Sequence, residues 1–475
     1  MNILQRLIGD RFDRAVMGVI AALLGALMVV LAVGDQAGVG VLENSPADQA
    51  GEARVTSPIR IQFSERMNPE SVESHFRIDP PMSGRFSWVG AVLTFYPERA
   101  WSLGVRYTIT LSAGAQAQQG RQLKESVRWT FSPAPPRVVY LAPANLSPDS
   151  EAPNLWLVDP QAPDQPRQLT RTTLGVTDYQ PSPDGSRIVY VLNGTRGTSD
   201  LYVLQVQSGA VQPITNCGAV EARCLAPRWS PDGFRIVYER RELNPGLPEE
   251  DRDVPRAWIV NLRDLSTAPL LANPLLLGAA PEWSPDGTKI AVFDLNRGEI
   301  VIYDLVTTAV QNIPTQEGES GMYTFAPDSA HFVFPELLVF PGRFTTTLSM
   351  VDVTDPERGV IKLSGADTPP VEDAQPAWHP DGTRLAFTRR WLDGSGALNA
   401  QVYEFALETG TIRLLVDAPE YIHGAISWSP AGDKLVMQRF SPTGTEAVPS
   451  IWVLDAATGQ VSPIAKDAYL PRWLP

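Results

Sequence analysis

The stretch Trp229 to Glu239, WSPDGFRIVYE, joins a tight turn to a short apolar strand. Proline presets φ at the first corner, aspartate suits the second, and glycine accepts the strained exit. The run that follows is rich in β-branched and aromatic residues, which favour strands. The unit recurs with variation as PSPDG at Pro181, WSPDG at Trp283, FAPDS at Phe325, WHPDG at Trp378 and WSPAG at Trp428. Its central prolines (Pro183, Pro231, Pro285, Pro327, Pro380, Pro430) are 48, 54, 42, 53 and 50 residues apart. That is the period of one four-stranded propeller blade. The tryptophan before each turn is large enough to fill the space between neighbouring blades.

Three strands follow each turn. The first set is RIVYV, RIVYE, KIAVF, HFVFP, RLAFT and KLVMQ; the second is LYVLQV, AWIVNL, IVIYDL, LSMVDV, QVYEFAL and IWVLDA. A shorter third set closes each repeat. Ahead of the first turn, RVVYL at Arg137, NLWLVD at Asn154 and RQLT at Arg167 read as a blade lacking its first strand. LPRWLP, Leu470 to Pro475, supplies a first strand in the P-x-W form also found at Pro227, Pro281 and Pro376. The reading is an all-β, seven-bladed propeller over residues 137–475, its first blade completed by 470–475. Joining the chain ends inside one blade would leave no exposed sheet edge. The P-x-W-S-P-D-G repeat with its I-V-Y or I-A-F strand resembles the TolB-like, WD-repeat-like propeller family.

Upstream, Ser132-Pro-Ala-Pro-Pro136 contains a stiff linker, 133–136. Residues 35–132 hold short alternating runs, among them PIRIQF, VRYTITL and SVRWTF, whose period of two marks an immunoglobulin-like sandwich. SPIRIQFSERMNPESV, the W-x-G-x-x-L-T-F-Y-P run and YTITLSAGAQ resemble the bacterial Ig-like domain of the SbsA type. That resemblance implies a spacer or adhesion module. Ala15 to Gly34 is 20 residues without a charge, enough for a helix to span a bilayer core. Arg6, Arg11 and Arg14 precede it and no Lys or Arg follows until Arg54. The positive-inside rule then assigns 1–14 to the cytoplasm, 15–34 to a transmembrane signal-anchor and the rest to the extracytoplasmic side. A cleaved signal peptide is the competing reading, with Ala32-Val-Gly34 as its site; the apolar run is longer than usual for one.

The net charge of −14 argues against nucleic-acid partners. Cys217 and Cys224 lie close enough for a loop-pinning disulfide; a metal site would need two further ligands that the neighbouring sequence lacks. No G-x-S-x-G, H-E-x-x-H, Walker or G-x-G-x-x-G motif occurs, so no cofactor, metal or catalytic residue is assigned, and the chain is expected not to be an enzyme. The aspartates of the turns, Asp184, Asp232, Asp286, Asp328 and Asp381, are read as turn formers.

Loops after the second and fourth strands of a blade emerge opposite those turns, and they are the long and variable ones. Variable loops on a rigid scaffold are where binding usually resides. Arg240, Arg241, Arg297, Arg389, Arg390 and Arg439 lie on that rim, with Trp391, Tyr421 and His423 as aromatic neighbours. Together they form a candidate site for an anionic or carboxylate-bearing ligand; the alternative is solvated loop charge, partly neutralised by Glu249, Glu250, Asp251 and Asp253. The functional expectation is a membrane-anchored binding or scaffold protein whose partner is an envelope protein, peptide or glycan. The alternatives are a structural subunit of a surface layer or envelope assembly, or a propeller-based hydrolase or lyase.

Overall fold

The computed structural model describes residues 16–25 and 38–475, except 146–149, 244–245, 247, 249–251, 272–276, 316–321, 341, 364–369 and 443–447. Residues 16–25 are helical. Among the described residues no helix is long and apolar enough to cross a membrane. The expected cytoplasmic stretch 1–14 and most of the expected 15–34 span lie outside them, as do Glu249, Glu250 and Asp251. The chain divides into two compact units, Met1–Ala134 and Pro135–Pro475.

The first unit is a sandwich of two four-stranded sheets. One runs Val41–Ser45, Ile59–Phe63, Val92–Pro97, Gly84–Val89; the other runs Ala50–Ala53, Val127–Pro133, Tyr107–Leu111, Phe76–Asp79. Alternation decides which side chains go in. Ile59, Ile61 and Phe63 from one sheet share a core with Tyr107, Ile109, Leu111, Trp129 and Phe131 from the other. Trp101 is buried at the centre, its Nε1 donating to the Ser57 carbonyl at 2.8 Å, and its ring lies 4.7 Å from Tyr107 and 5.1 Å from Phe131. Pro69–His75 is a short helix not expected from the sequence, capped by Asn68, which accepts from Ser71 N at 3.3 Å.

The second unit is a β-propeller. One of its sheets joins both ends of the unit: Ala162–Gln168, Asn154–Asp159, Arg137–Ala142 and Tyr469–Leu474. The last strand runs antiparallel to Arg137–Ala142, pairing Leu474 with Arg137 and Arg472 with Val139. Next comes an eight-stranded sheet, two four-stranded successions linked by a single bridge from Ser199 to Arg223. Four-stranded sheets then begin at Gly278–Trp283, Thr324–Phe325, Val371–Trp378 and Ile422–Trp428. Each innermost strand packs on that of the next sheet, and Tyr469–Leu474 packs on Val176–Pro181, so the succession returns to its start. The cores lie between sheets: Val189, Val191 and Leu201 pack against Trp229, Ile236 and Tyr238 of the following repeat.

Two local devices bind neighbouring sheets. Three tryptophans of this position are buried and also reach backward: Trp229 Nε1 donates to Gln180 O at 3.0 Å, Trp283 to Arg228 O at 3.2 Å and Trp473 to Ser427 O at 3.0 Å. The P-x-W motif encodes a β-bulge in the innermost strand. Ala226, Ala280, Gln375, Ala425 and Leu470 have φ of 46°, 46°, 54°, 45° and 51° beside register shifts. Proline follows four of them, supplying a residue with no N–H to pair. Isoleucine (Ile426) follows the fifth, and in two further repeats tyrosine stands at the proline position. Tyr179 OH sits 2.6 Å from both Val139 O and Leu470 O, and Tyr323 OH hydrogen-bonds Ala279 O and Ala280 O, at bulges of the preceding sheets. Burial raises both phenols well above the ordinary tyrosine range.

Candidate functional site

The two faces of the propeller solve their electrostatics differently. On the turn face each aspartate accepts from the backbone N–H two residues on: Ser186 to Asp184 at 3.1 Å, Phe234 to Asp232 at 3.0 Å, Thr288 to Asp286 at 2.9 Å, Ala330 to Asp328 at 2.8 Å, Thr383 to Asp381 at 2.9 Å. Burial alone would raise these carboxyls, but the hydrogen bonds hold all five below the usual carboxylate range. The turns thus consume their own carboxylates. Among the described residues no group of three or more His, Cys, Asp or Glu side chains is placed to hold a metal ion.

The opposite face is built from the ends of second strands and the starts of first strands. Arg240 and Arg241 end Arg235–Glu242, Arg389, Arg390 and Trp391 end Arg384–Trp391, and Arg439 lies near the end of Lys434–Phe440. Arg297 occupies the turn after Lys289–Asp294; Tyr421 and His423 stand at the start of Ile422–Trp428. Most of these cations already have partners. Arg240 pairs with Glu242 at 2.7 Å and stacks on Trp258, and Arg241 pairs with Glu239 at 2.5 Å. Arg297 reaches Asp294 at 3.8 Å, and Arg390 contacts exposed Glu372 through Nε at 2.9 Å. Arg389 forms a buried fork on Asp373, with Nε–Oδ1 at 2.6 Å and Nη2–Oδ2 at 2.7 Å. Trp391 donates from Nε1 to Tyr403 OH at 3.3 Å.

Arg439 differs. Its guanidinium lies 3.9 Å from the Tyr421 ring and 3.6 Å from the Trp452 ring, stacked on both. It is 8% exposed, its Nε is buried without a hydrogen-bond partner, and no described carboxylate pairs with it. His423, opposite it in register, is 2% exposed. His423 Nδ1 lies 3.0 Å from Ala400 O and therefore carries the proton, which leaves Nε2 a bare, buried acceptor without a partner. Burial, together with Arg439 and against the Ala400 hydrogen bond, lowers His423 to about 4. The imidazole is neutral at physiological pH.

Several functional residues had no sequence signal. The partners Asp373 and Glu372 are set by cross-strand register beside a bulge, Glu239 lies two residues before Arg241 on the same strand, and Trp452 lies on the neighbouring strand Ser450–Asp455. At the innermost strands Arg228 bridges Asp178 (3.6 Å) and Glu282 (3.1 Å), and Arg472 reaches Asp178 at 3.3 Å, a chain of ion pairs linking four successive repeats. Burial pushes the Glu282 carboxyl up against the pull of Arg228. The x position of P-x-W, held by Arg228, Glu282 and Arg472, could have marked these residues. A cleft of about 310 Å³, lined by Met322, Leu337, Phe344, Glu372 and Gln375 among others, opens on the same face as the rim. Cys217 and Cys224 form a buried disulfide there, and Asp200 accepts from Gly218 N at 3.0 Å to hold its loop.

Comparison with known proteins covers both units. Residues 35–133 match the bacterial Ig-like domain family. The uncharacterized peptidase YuxL of Bacillus subtilis (strain 168) is 29% identical over 134 residues, which cover 27% of this chain and 19% of that protein. The match therefore spans about a fifth of the length of that curated relative. Among solved structures, a puromycin-hydrolyzing peptidase of Mycobacterium tuberculosis superposes with a TM-score of 0.50 at 16% identity, covering 66% of this chain and 49% of that one. TolB from Acinetobacter baumannii gives a TM-score of 0.41 at 16% identity, covering 84% of this chain and 83% of that one. The expectation that this chain is not an enzyme is corrected by the relative named as a peptidase. That expectation rested on missing motifs, and catalytic groups assembled from distant strands leave no motif to find. The Ig-like sandwich and the β-propeller are the two units that these likenesses and the observed sheets establish together.

Proposed function

We propose that this chain is a single-pass, extracytoplasmic protein whose seven-bladed propeller binds an envelope protein, peptide or glycan on the face opposite the aspartate turns. The observation that carries the reading is the rim: arginine, histidine and aromatic side chains stand at strand ends there, with Arg439, Tyr421, Trp452 and His423 in contact or in register, whereas the turn carboxylates of the other face are bound to their own backbone. The Cys217–Cys224 disulfide supports an oxidising compartment. The uncharged run 15–34 behind three arginines supports an anchor with a cytoplasmic N-terminus, and the Ig-like unit supports a spacer role.

The test is affinity capture with the full chain from membranes of its own source, alongside protease added to intact cells. Capture of a discrete envelope component and digestion from outside support the reading; a chain protected until lysis contradicts it.

A second reading is favoured by one observation, the relative named as a peptidase. In it the propeller face receives peptides for hydrolysis. Incubating the purified full chain with a mixed peptide library distinguishes the two, since cleavage products at a reproducible bond would support hydrolysis.

A further inference from the structure

The repeat supplies its own control for the rim. Arg240, Arg389 and Arg439 are equivalent: each stands five residues after the base that opens its strand, Arg235, Arg384 or Lys434. Each stacks on an aromatic ring of the next strand, Trp258, Tyr403 or Trp452, at 4.5, 5.6 and 3.6 Å. Their partners across the first strand differ: Cys224, Asp373 and His423 respectively. Arg240 finds Glu242 on its own strand and Arg389 finds Asp373. At the third position the carboxylate is replaced by His423, and none of the described residues takes its place.

A buried guanidinium without an anion is costly, because desolvation removes water and nothing replaces it. Here two rings hold the group flat and close, at 3.9 Å for Tyr421 and 3.6 Å for Trp452, whereas Arg389 lies 5.3 and 5.6 Å from Phe387 and Tyr403. The neighbouring histidine is also orphaned at Nε2. Among the described residues, two buried nitrogens without a hydrogen-bond partner thus lie on directly opposed residues; Arg240 Nε is also unpartnered, but its guanidinium pairs with Glu242. The position equivalent to Asp373 says that a carboxylate fits beside such an arginine.

We propose that Arg439, clamped between Tyr421 and Trp452 and beside the bare Nε2 of His423, anchors a carboxylate of the propeller's ligand. The inference rests on the rim as binding face and names the group that is recognised there. The guanidinium donates to the carboxylate oxygens. On binding, His423 takes up a proton at Nε2 and donates it to the same anion. The charges that bear on His423 are Arg439 across the strand pair and Glu420 from the preceding turn; the nearby Asp373–Arg389 pair is already neutralised. Binding therefore strengthens as pH falls.

The test uses the full chain and four probes: triglycine, triglycine amide, glucuronate and glucose. The readout is the His423 imidazole resonance, resolvable among four histidines. The expected result is a shift and a raised His423 titration midpoint with triglycine or glucuronate and none with the amide or glucose. A response to triglycine alone assigns a peptide terminus, and one to glucuronate alone assigns an acidic sugar; either supports the anchor. Arg439→Gln should weaken the responding probe roughly 10- to 100-fold, and Arg439→Lys should restore part of it, which guards against a folding defect. Equal responses to charged and neutral probes, or none at millimolar concentration with folded protein, overturn the proposal. If Arg439→Gln still retains an envelope partner, the carboxylate anchor fails and the rim reading stands; if neither protein retains one while triglycine still binds Arg439, the rim reading alone is affected.

Discussion

Arg389 and Arg439 occupy the same place in adjacent sheets and meet opposite fates. Arg389 is locked on Asp373 by two hydrogen bonds of 2.6 and 2.7 Å. Arg439 has two aromatic faces, a neutral histidine and no anion among the described residues. The register is alike, and the change at the first-strand position, aspartate to histidine, removes the carboxylate that closes the site in the neighbouring sheet. The difference teaches that arginine count is a poor guide to binding on a propeller rim. What matters is which guanidinium the fold has left unsatisfied, because a satisfied one must break its own ion pair before it can serve a ligand.

The comparison can be broken most severely at its closed member. Asp373→Ala strands the buried Arg389 and should cost about 3–5 kcal/mol of stability, measurable by denaturant unfolding followed through circular dichroism. The next effect concerns pH. His423 in the folded chain lies near 4, below its unfolded value near 6.5. Between those values the unfolded chain binds a proton that the folded chain does not, so stability falls as pH falls, by about 1 kcal/mol per pH unit at most. His423→Asn should flatten that segment of a stability-versus-pH curve. The smallest effect is at the open member. Arg439→Met keeps the stack but removes the unpaired charge, and unfolding should change by about 1 kcal/mol or less, in either direction.

The frame of the propeller was legible because its signals are local. The turn W-S-P-D-G is written in five consecutive residues, and its aspartates prove to be bound by their own backbone. Leu470 to Pro475 carries a P-x-W signature, and the strand Tyr469–Leu474 pairs with Arg137–Ala142. The contents of the rim were not legible. Asp373 and Arg389 are 16 residues apart and meet through a register that shifts between Ala374 and Ala377. The sequence gathers both arginines into one list, and only the strand pairing separates them. Tyr179 stands where other repeats have proline, and its hydroxyl reaches the bulge carbonyl of Leu470. Ser329, at the glycine position of its turn, has φ of 60° and accepts from Asp286 N at 3.0 Å, so that departure too carries a bond between sheets.

The most direct measurement is a melting curve and a triglycine titration of His423→Asp. This variant installs at the open site the residue that closes its neighbour. The account predicts a higher Tm than the parent chain, as Arg439 gains the fork that Arg389 has, together with loss of carboxylate binding. A variant that melts no higher and binds triglycine as the parent does would contradict it.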